Sequence, residues 1–169
     1  MFSNKLDLTS IGTIDDVYEM LYELFKRDFI DNDTYLANSI YVNPNFGTAI
    51  DGKEEIFWHV VTRKNEQTRK REFDEKRASR IEWIKKSIEN HSNSEIKLFY
   101  FYENNHKIRL YLWVHNHDFL VILQKLGNTE SYIVTSFYID NDRKRDKTQK
   151  KYDDYIARTD SRLSNCEWF

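Results

Sequence analysis

His59 is the first residue in this chain that could do chemistry. The stretch FWHVVTRK sets it four residues before Arg63, and on a helix that spacing puts both side chains on one face. Glu55 lies four residues further back on the same face. An imidazole takes and gives a proton near neutral pH. A guanidinium holds a phosphate oxygen with two donors and stabilises charge that develops there. The pair suits RNA transesterification: a base activates the ribose 2′-hydroxyl, guanidinium groups hold the phosphate, and an acid protonates the leaving 5′-oxygen. Such chemistry requires neither metal nor cofactor. The alternative is a structural histidine, partly buried and hydrogen-bonded to Glu55, and spacing alone favours that alternative.

Two further groups extend the candidate set. Arg77 falls on the apolar face of a helical pattern, where an unpaired guanidinium would be expensive to bury. It must pair with an acid or point into a ligand cleft. Arg80 lies at the edge of the same face, and Glu72, Asp74 and Glu75 are the nearby acids. In VTSFY, strand alternation puts Thr135 on one side and Ser136 and Tyr138 on the other. A hydroxyl can donate to a phosphate oxygen, and a tyrosine can stack on a base. Thr and Tyr are also simply favoured in strands.

Charge is segregated along the chain. The formal net charge is −2, yet residues 1–33 carry a net of −5, residues 63–80 a net of +4 and residues 143–151 a net of +5. Two basic blocks point to an anionic ligand at one surface, with helix solvation as the alternative. Lys147, Lys150 and Lys151 belong to the second block and are expected to attract phosphate without taking part in chemistry.

The elements that must position these groups follow from periodicity. Ile14, Val17, Leu21, Leu24 and Phe25 recur at helical spacing, so residues 13–30 read as an amphipathic helix with Thr13 as N-cap. Residues 34–47, with Pro44 and Gly47, read as a long loop. A second helix is expected from Asp51, with Glu54 and Glu55 in its first turn. A third is expected over about 73–90, where Phe73, Arg77, Ile81, Ile84 and Ile88 share a face. The period then changes to two. EIKLFYFYE, KIRLYLWVH, DFLVILQKL and SYIVTSFYID are four strands with short connections, hence an antiparallel meander. Asp142 to Ala157 reads as a last, basic helix. The expected fold class is α+β: N-terminal helices, a four-stranded antiparallel β-meander and a C-terminal basic helix. The helices should pack on one face of the sheet.

Composition excludes several classes. At 169 residues one domain is expected, with residues 1–33 as an acidic helical N-terminal segment. A single cysteine, Cys166, leaves no disulfide framework or cysteine zinc site. His115-Asn116-His117 sits in an expected turn without further placed ligands, a poor metal signal. No Gly-rich phosphate loop, GxSxG or Cys/His dyad signature occurs. No run of about 18 apolar residues is present, so no membrane span is expected. The N-terminal MFSNKLDLTSIG lacks a signal-peptide pattern, so the expected location is cytoplasmic. Phe99, Tyr100, Phe101 and Trp113 read as core, and an RRM-like sheet is disfavoured because the βαββαβ order is missing.

The segment IFWHVVTRK, then FDEKRASRIEWIKKSIE, then a meander ending in YIVTSFY, resembles the barnase–EndoU–colicin–RelE superfamily of ribonucleases, in particular its phage-associated subgroup. The resemblance covers roughly residues 40–157. It implies helices followed by a four-stranded antiparallel sheet, and metal-independent cleavage of tRNA or mRNA by proteins that are often toxins. It also implies RNA as substrate and an antitoxin or immunity protein as partner. The helical histidine of that pattern would be His59, with Arg63 beside it. The helix arginine would be Arg77 or Arg80. The strand hydroxyl would be Thr135 or Ser136, with Tyr138 nearby.

The combined expectation is a toxin-like endoribonuclease. His59, Arg63, Arg80, Thr135 and Tyr138 would be catalytic. Arg77, Ser136, Lys147, Lys150 and Lys151 would bind substrate. The alternatives are a non-catalytic nucleic-acid-binding or inhibitory phage-type protein, and a protein-interaction module working through the acidic helix.

Overall fold

A computed structural model describes residues 1–169. The chain is mixed α+β. Helix α1 (Ile14–Phe29) starts at a capping box: Thr13 Oγ1 accepts from the Asp16 N–H, and Asp16 Oδ2 accepts from the Thr13 N–H. Its apolar stripe Val17, Leu21, Phe25 and Phe29 is buried. A short hairpin follows, β1 (Tyr35–Leu36) and β2 (Ile40–Val42). Helix α2 (Glu55–Val61) leads directly into β3 (Thr62–Lys64), which pairs antiparallel with β4 (Arg71–Phe73). Two short helices come next, α3 (Glu75–Ala78) and α4 (Ile81–Glu89). Strands β5 (Ile96–Tyr102), β6 (Ile108–Val114), β7 (Phe119–Leu126) and β8 (Glu130–Tyr138) precede the last helix, α5 (Asp142–Ile156).

The main sheet has six strands in the order β1-β2-β8-β7-β6-β5, not the four expected. β5 to β8 pair antiparallel with their sequence neighbours. The two extra strands come from the stretch read as loop. β2 runs parallel to the start of β8, with Tyr41 opposite Glu130 and Val42 opposite Ser131. Strands of two and three residues are too short to show a period of two.

Three other expectations need correction. Asp51 is not a helix cap. It sits at φ 51° in a turn closed by the Ile50–Lys53 pairing, and α2 begins four residues later. The expected third helix is split. Ser79 O accepts from the Leu6 N–H (2.8 Å), so the N-terminal segment takes the carbonyl that would have continued the helix, and Trp83 N donates to Arg80 O instead. Helices also cover both faces of the sheet. Phe119 packs edge-on against Trp83 of α4, while Phe99 packs against Tyr152 of α5. The register places Phe119 in line with Val114, and Phe99 in line with Tyr111, so the two phenyl rings lie on opposite faces.

The core is strongly aromatic. Phe99, Tyr100 and Trp113 are buried, as expected of core residues. Phe57 is fully buried and meets Tyr22, Phe25 and Trp58 at edge-on angles, which locks α2 against α1. No helix is long and apolar enough to cross a membrane. Phe57→Ala should destabilise the fold by about 3–5 kcal/mol, the usual cost of deleting a buried phenyl ring. Urea unfolding checks this, and a loss under about 1 kcal/mol would mean that α2 is held by something other than this aromatic contact.

Candidate functional site

The site forms where α2 ends. The helix stops at Val61 because Thr62 turns to extended backbone (φ −127°, ψ 160°). Arg63 therefore lies on β3, and the expected helical face shared by His59 and Arg63 does not exist. The β3–β4 hairpin folds back beside the helix end and brings in Arg71, opposite Lys64. Thr62 is the joint between these pieces. Its hydroxyl donates to Trp58 O (2.5 Å) and accepts from Arg71 Nε (3.0 Å).

Arg77 sits at the centre. Its Nη1 lies within hydrogen-bond distance of His59 O (3.2 Å), Thr62 O (3.1 Å) and Thr135 Oγ1 (3.3 Å). Nε is 3.3 Å from Asp74 Oδ2, close enough for ion pairing but poorly aligned for a hydrogen bond. Asp74 is itself the N-cap of α3 and accepts from the Arg77 N–H. The expectation that Arg77 must pair with an acid or face a cleft is met on both counts. Burial pushes its pKa below the usual guanidinium value, with Asp74 opposing and Arg71 reinforcing the shift. The group stays charged at neutral pH.

Thr135 reaches this point through a β-bulge. Ile122 pairs with Thr135 and Leu123 with Ile133, which leaves Val134 unmatched. His59 sits beside Val134 and is half-buried. Its Nε2 is 3.6 Å from Glu55 Oε1, too long for a hydrogen bond. The other Glu55 oxygen accepts from the Thr48 N–H (2.9 Å). Burial pushes the His59 pKa below 6.5, Arg71 lowers it further, Glu55 and the Val134 main chain oppose this, and Arg77 adds to it. The shift favours the neutral ring, the form that can accept a proton.

His59, Arg63, Arg71, Arg77 and Thr135 line one cleft of about 820 Å³. Lys64 and Lys144 add two more cations, and Glu66 and Glu72 are the only acids on its wall. An anion is the ligand this balance favours. Arg71, Lys64 and Lys144 were not among the expected site residues. The only local signal near Arg71 was the turn at Asn65, whose Oδ1 accepts from the Gln67 and Thr68 N–H groups; the three-residue strands on either side are too short to show alternation.

Other expected residues fall elsewhere. Arg80 is buried, donates to Lys76 O (2.6 Å) and lies 4.6 Å from the Tyr138 ring centroid. The two share a neighbouring cleft of about 320 Å³ with Lys5 and Lys76, not the His59 cleft. Tyr138 and Arg63 also meet in a third cleft of about 300 Å³. Ser136 is fully buried with no hydrogen-bond partner for its hydroxyl, so it contacts no substrate in this conformation. Lys151 lies over the Phe101 ring (3.8 Å) and Lys150 pairs with Asp154 (2.9 Å). Neither of these lysines nor the exposed Lys147 lines the cleft; from α5 only Lys144 does.

Comparison with protein-family models, curated proteins and solved structures finds no match for the chain.

The electrostatics around His59 can be tested directly. Its ring should titrate below pH 6.5 by NMR. Arg71→Gln should move the midpoint up, because a neighbouring cation is lost, and Glu55→Gln should move it down. Between pH 6.5 and the lower folded-state midpoint the unfolded chain binds a proton that the folded chain does not. Stability should therefore fall as pH drops through that window, and His59→Gln should flatten the slope. An unchanged midpoint in Arg71→Gln would place Arg71 away from the imidazole.

Proposed function

We propose that the chain is a metal-independent endoribonuclease of toxin type that cleaves RNA by 2′-hydroxyl transesterification, in line with its resemblance to the barnase–EndoU–colicin–RelE superfamily. One observation carries the reading. A half-buried imidazole shares a cleft with three guanidinium groups and a threonine that are supplied by separate elements. In the proposed step His59 accepts the proton of the ribose 2′-hydroxyl. The 2′-oxygen attacks phosphorus, the bond to the 5′-oxygen breaks, and that oxygen takes up a proton from solvent water, while protonated His59 returns its proton to solvent after the step. Arg63 and Arg71 hold the non-bridging oxygens through the attack. Arg77 contributes charge, and its Nη2 makes no hydrogen bond within the protein. Thr135 orients Arg77 and the His59 carbonyl. Arg80, Tyr138 and Lys76 lie beside the cleft, where the continuing strand would pass.

A non-catalytic RNA-binding protein is the second reading. It is favoured by the inward engagement of Arg77 Nη1 and the Thr135 hydroxyl, both of which hydrogen-bond within the fold.

Cleavage should persist in EDTA and leave a 2′,3′-cyclic phosphate on RNA, with DNA untouched. His59→Gln should fold normally and lower single-turnover cleavage by about two orders of magnitude or more, the scale expected for losing a general base. Cleavage by His59→Gln at the wild-type rate would remove His59 from the mechanism. RNA binding without cleavage by the wild type would establish the second reading. Lys64→Gln should reduce the salt dependence of RNA binding by about one phosphate contact, because Lys64 lines the cleft and pairs with no acid of the protein, whereas Lys144 is held by Asp140 (2.8 Å). Lys151→Gln should leave that slope unchanged, because Lys151 is occupied by its aromatic neighbours.

A further inference from the structure

His59 has a second neighbour that the proposed chemistry does not use. On its other side lies a separate pocket of about 180 Å³ with a different character. Phe46, Ile56, Tyr132 and Ile133 line it together with the Glu55 carboxylate, and His59 and Val134 belong to both this pocket and the cationic cleft. Phe46 stacks on Tyr132 with ring centroids 3.7 Å apart and planes 17° from parallel. Tyr132 is buried, but Phe46 remains 41% exposed.

An exposed phenyl ring on a loop would ordinarily be mobile. This one is tied down. The Thr48 N–H donates to Glu55 Oε2, so the loop is fastened to the first turn of α2. Gly47 makes the close approach, with φ at 99° and a Cβ position only 2.3 Å from that same oxygen. The carboxylate that holds the loop is also the one beside His59. Aromatic pocket, imidazole and cationic cleft are thus contiguous, joined through Glu55, His59 and Val134.

A ligand that fills both cavities carries a flat apolar ring on one side and an anion on the other. We infer that the Phe46–Tyr132 pocket is a nucleobase subsite, which receives the base of a nucleotide whose phosphate lies in the cleft beyond His59. This rests on the reading of that cleft as an RNA site and extends it: single-stranded RNA is the form that enters, because a paired base is not free to stack on Phe46. Stacking on one aromatic ring changes affinity by about tenfold for each 1.4 kcal/mol, and base–aromatic stacks fall in the range of about 1–3 kcal/mol.

The test measures binding of an uncleavable 2′-O-methyl oligoribonucleotide and of an abasic ribose-phosphate polymer of the same length. Wild type, Phe46→Ala, Phe46→Trp and Arg71→Gln are compared after thermal melts confirm folding. Phe46→Ala should weaken the oligonucleotide about tenfold or more and leave the abasic polymer unchanged. Phe46→Trp should restore binding, and Arg71→Gln should weaken both probes. Equal oligonucleotide affinity in wild type and Phe46→Ala, with Arg71→Gln still weakened, would overturn the base subsite while leaving the cleft's function intact. Equal weakening of both probes by Phe46→Ala would also overturn it, because the loop would then act through the phosphate cleft. Failure of the wild type to bind either probe would reject the RNA reading itself, and the base subsite with it.

Discussion

The arrangement around the cleft depends on one partly buried guanidinium, that of Arg77. Helix α2 ends abruptly, and a helix that ends leaves its last carbonyls without intrahelical donors. The His59 and Thr62 carbonyls are both met by Arg77 Nη1 from α3. The Val61 carbonyl is met by the Asp74 N–H, next to the start of the same short helix. Arg77 thereby acts as a C-terminal cap from a distance, and its charge complements the negative end of the α2 dipole. Thr135 completes the arrangement from the edge of β8. A charge partly withdrawn from water tolerates little displacement, since each lost acceptor costs more than an exposed hydrogen bond would contribute.

That constraint explains why function and packing are hard to separate here. The atoms of Arg77 that organise the site are turned inward. The groups left to meet a ligand are Arg63 and Arg71 on the hairpin, together with the half-buried His59 ring. The imidazole is partly desolvated, and burial and Arg71 lower its pKa; Arg71 is itself partly desolvated and donates to the Thr62 hydroxyl. The half-buried imidazole and the cationic rim are brought together by the way the hairpin folds over the helix end. The acidic α1 is largely committed elsewhere. Asp16 caps the helix, Glu19 pairs with Lys53 and Glu23 with Lys26.

Much of the framework was legible in the sequence. The N-cap at Thr13, the four long strands and the basic C-terminal helix all follow from local rules, because helix caps and strand alternation act over a few residues. The chemistry-bearing types were legible too, and His59, Arg63, Arg77 and Thr135 do share a cleft. The reason given for pairing His59 with Arg63 was nevertheless mistaken. They meet across a helix end and a hairpin, not along one helical face.

What only the tertiary structure decided is everything that depends on distant partners. The N-terminal segment splits the third helix by taking the Ser79 carbonyl, and β2 pairs with a strand nearly ninety residues away. Arg71 enters the site because a three-residue strand folds back, and Ser136 leaves it because its alternation turns it into the core. Lys151 is lost to the Phe101 ring and Lys144 is gained, although both belong to one basic run. Composition and periodicity determined which groups could act. Burial, a helix end in need of donors and one bulge in β8 determined which of them face the same space, because those are energies of long-range contact that no local window contains.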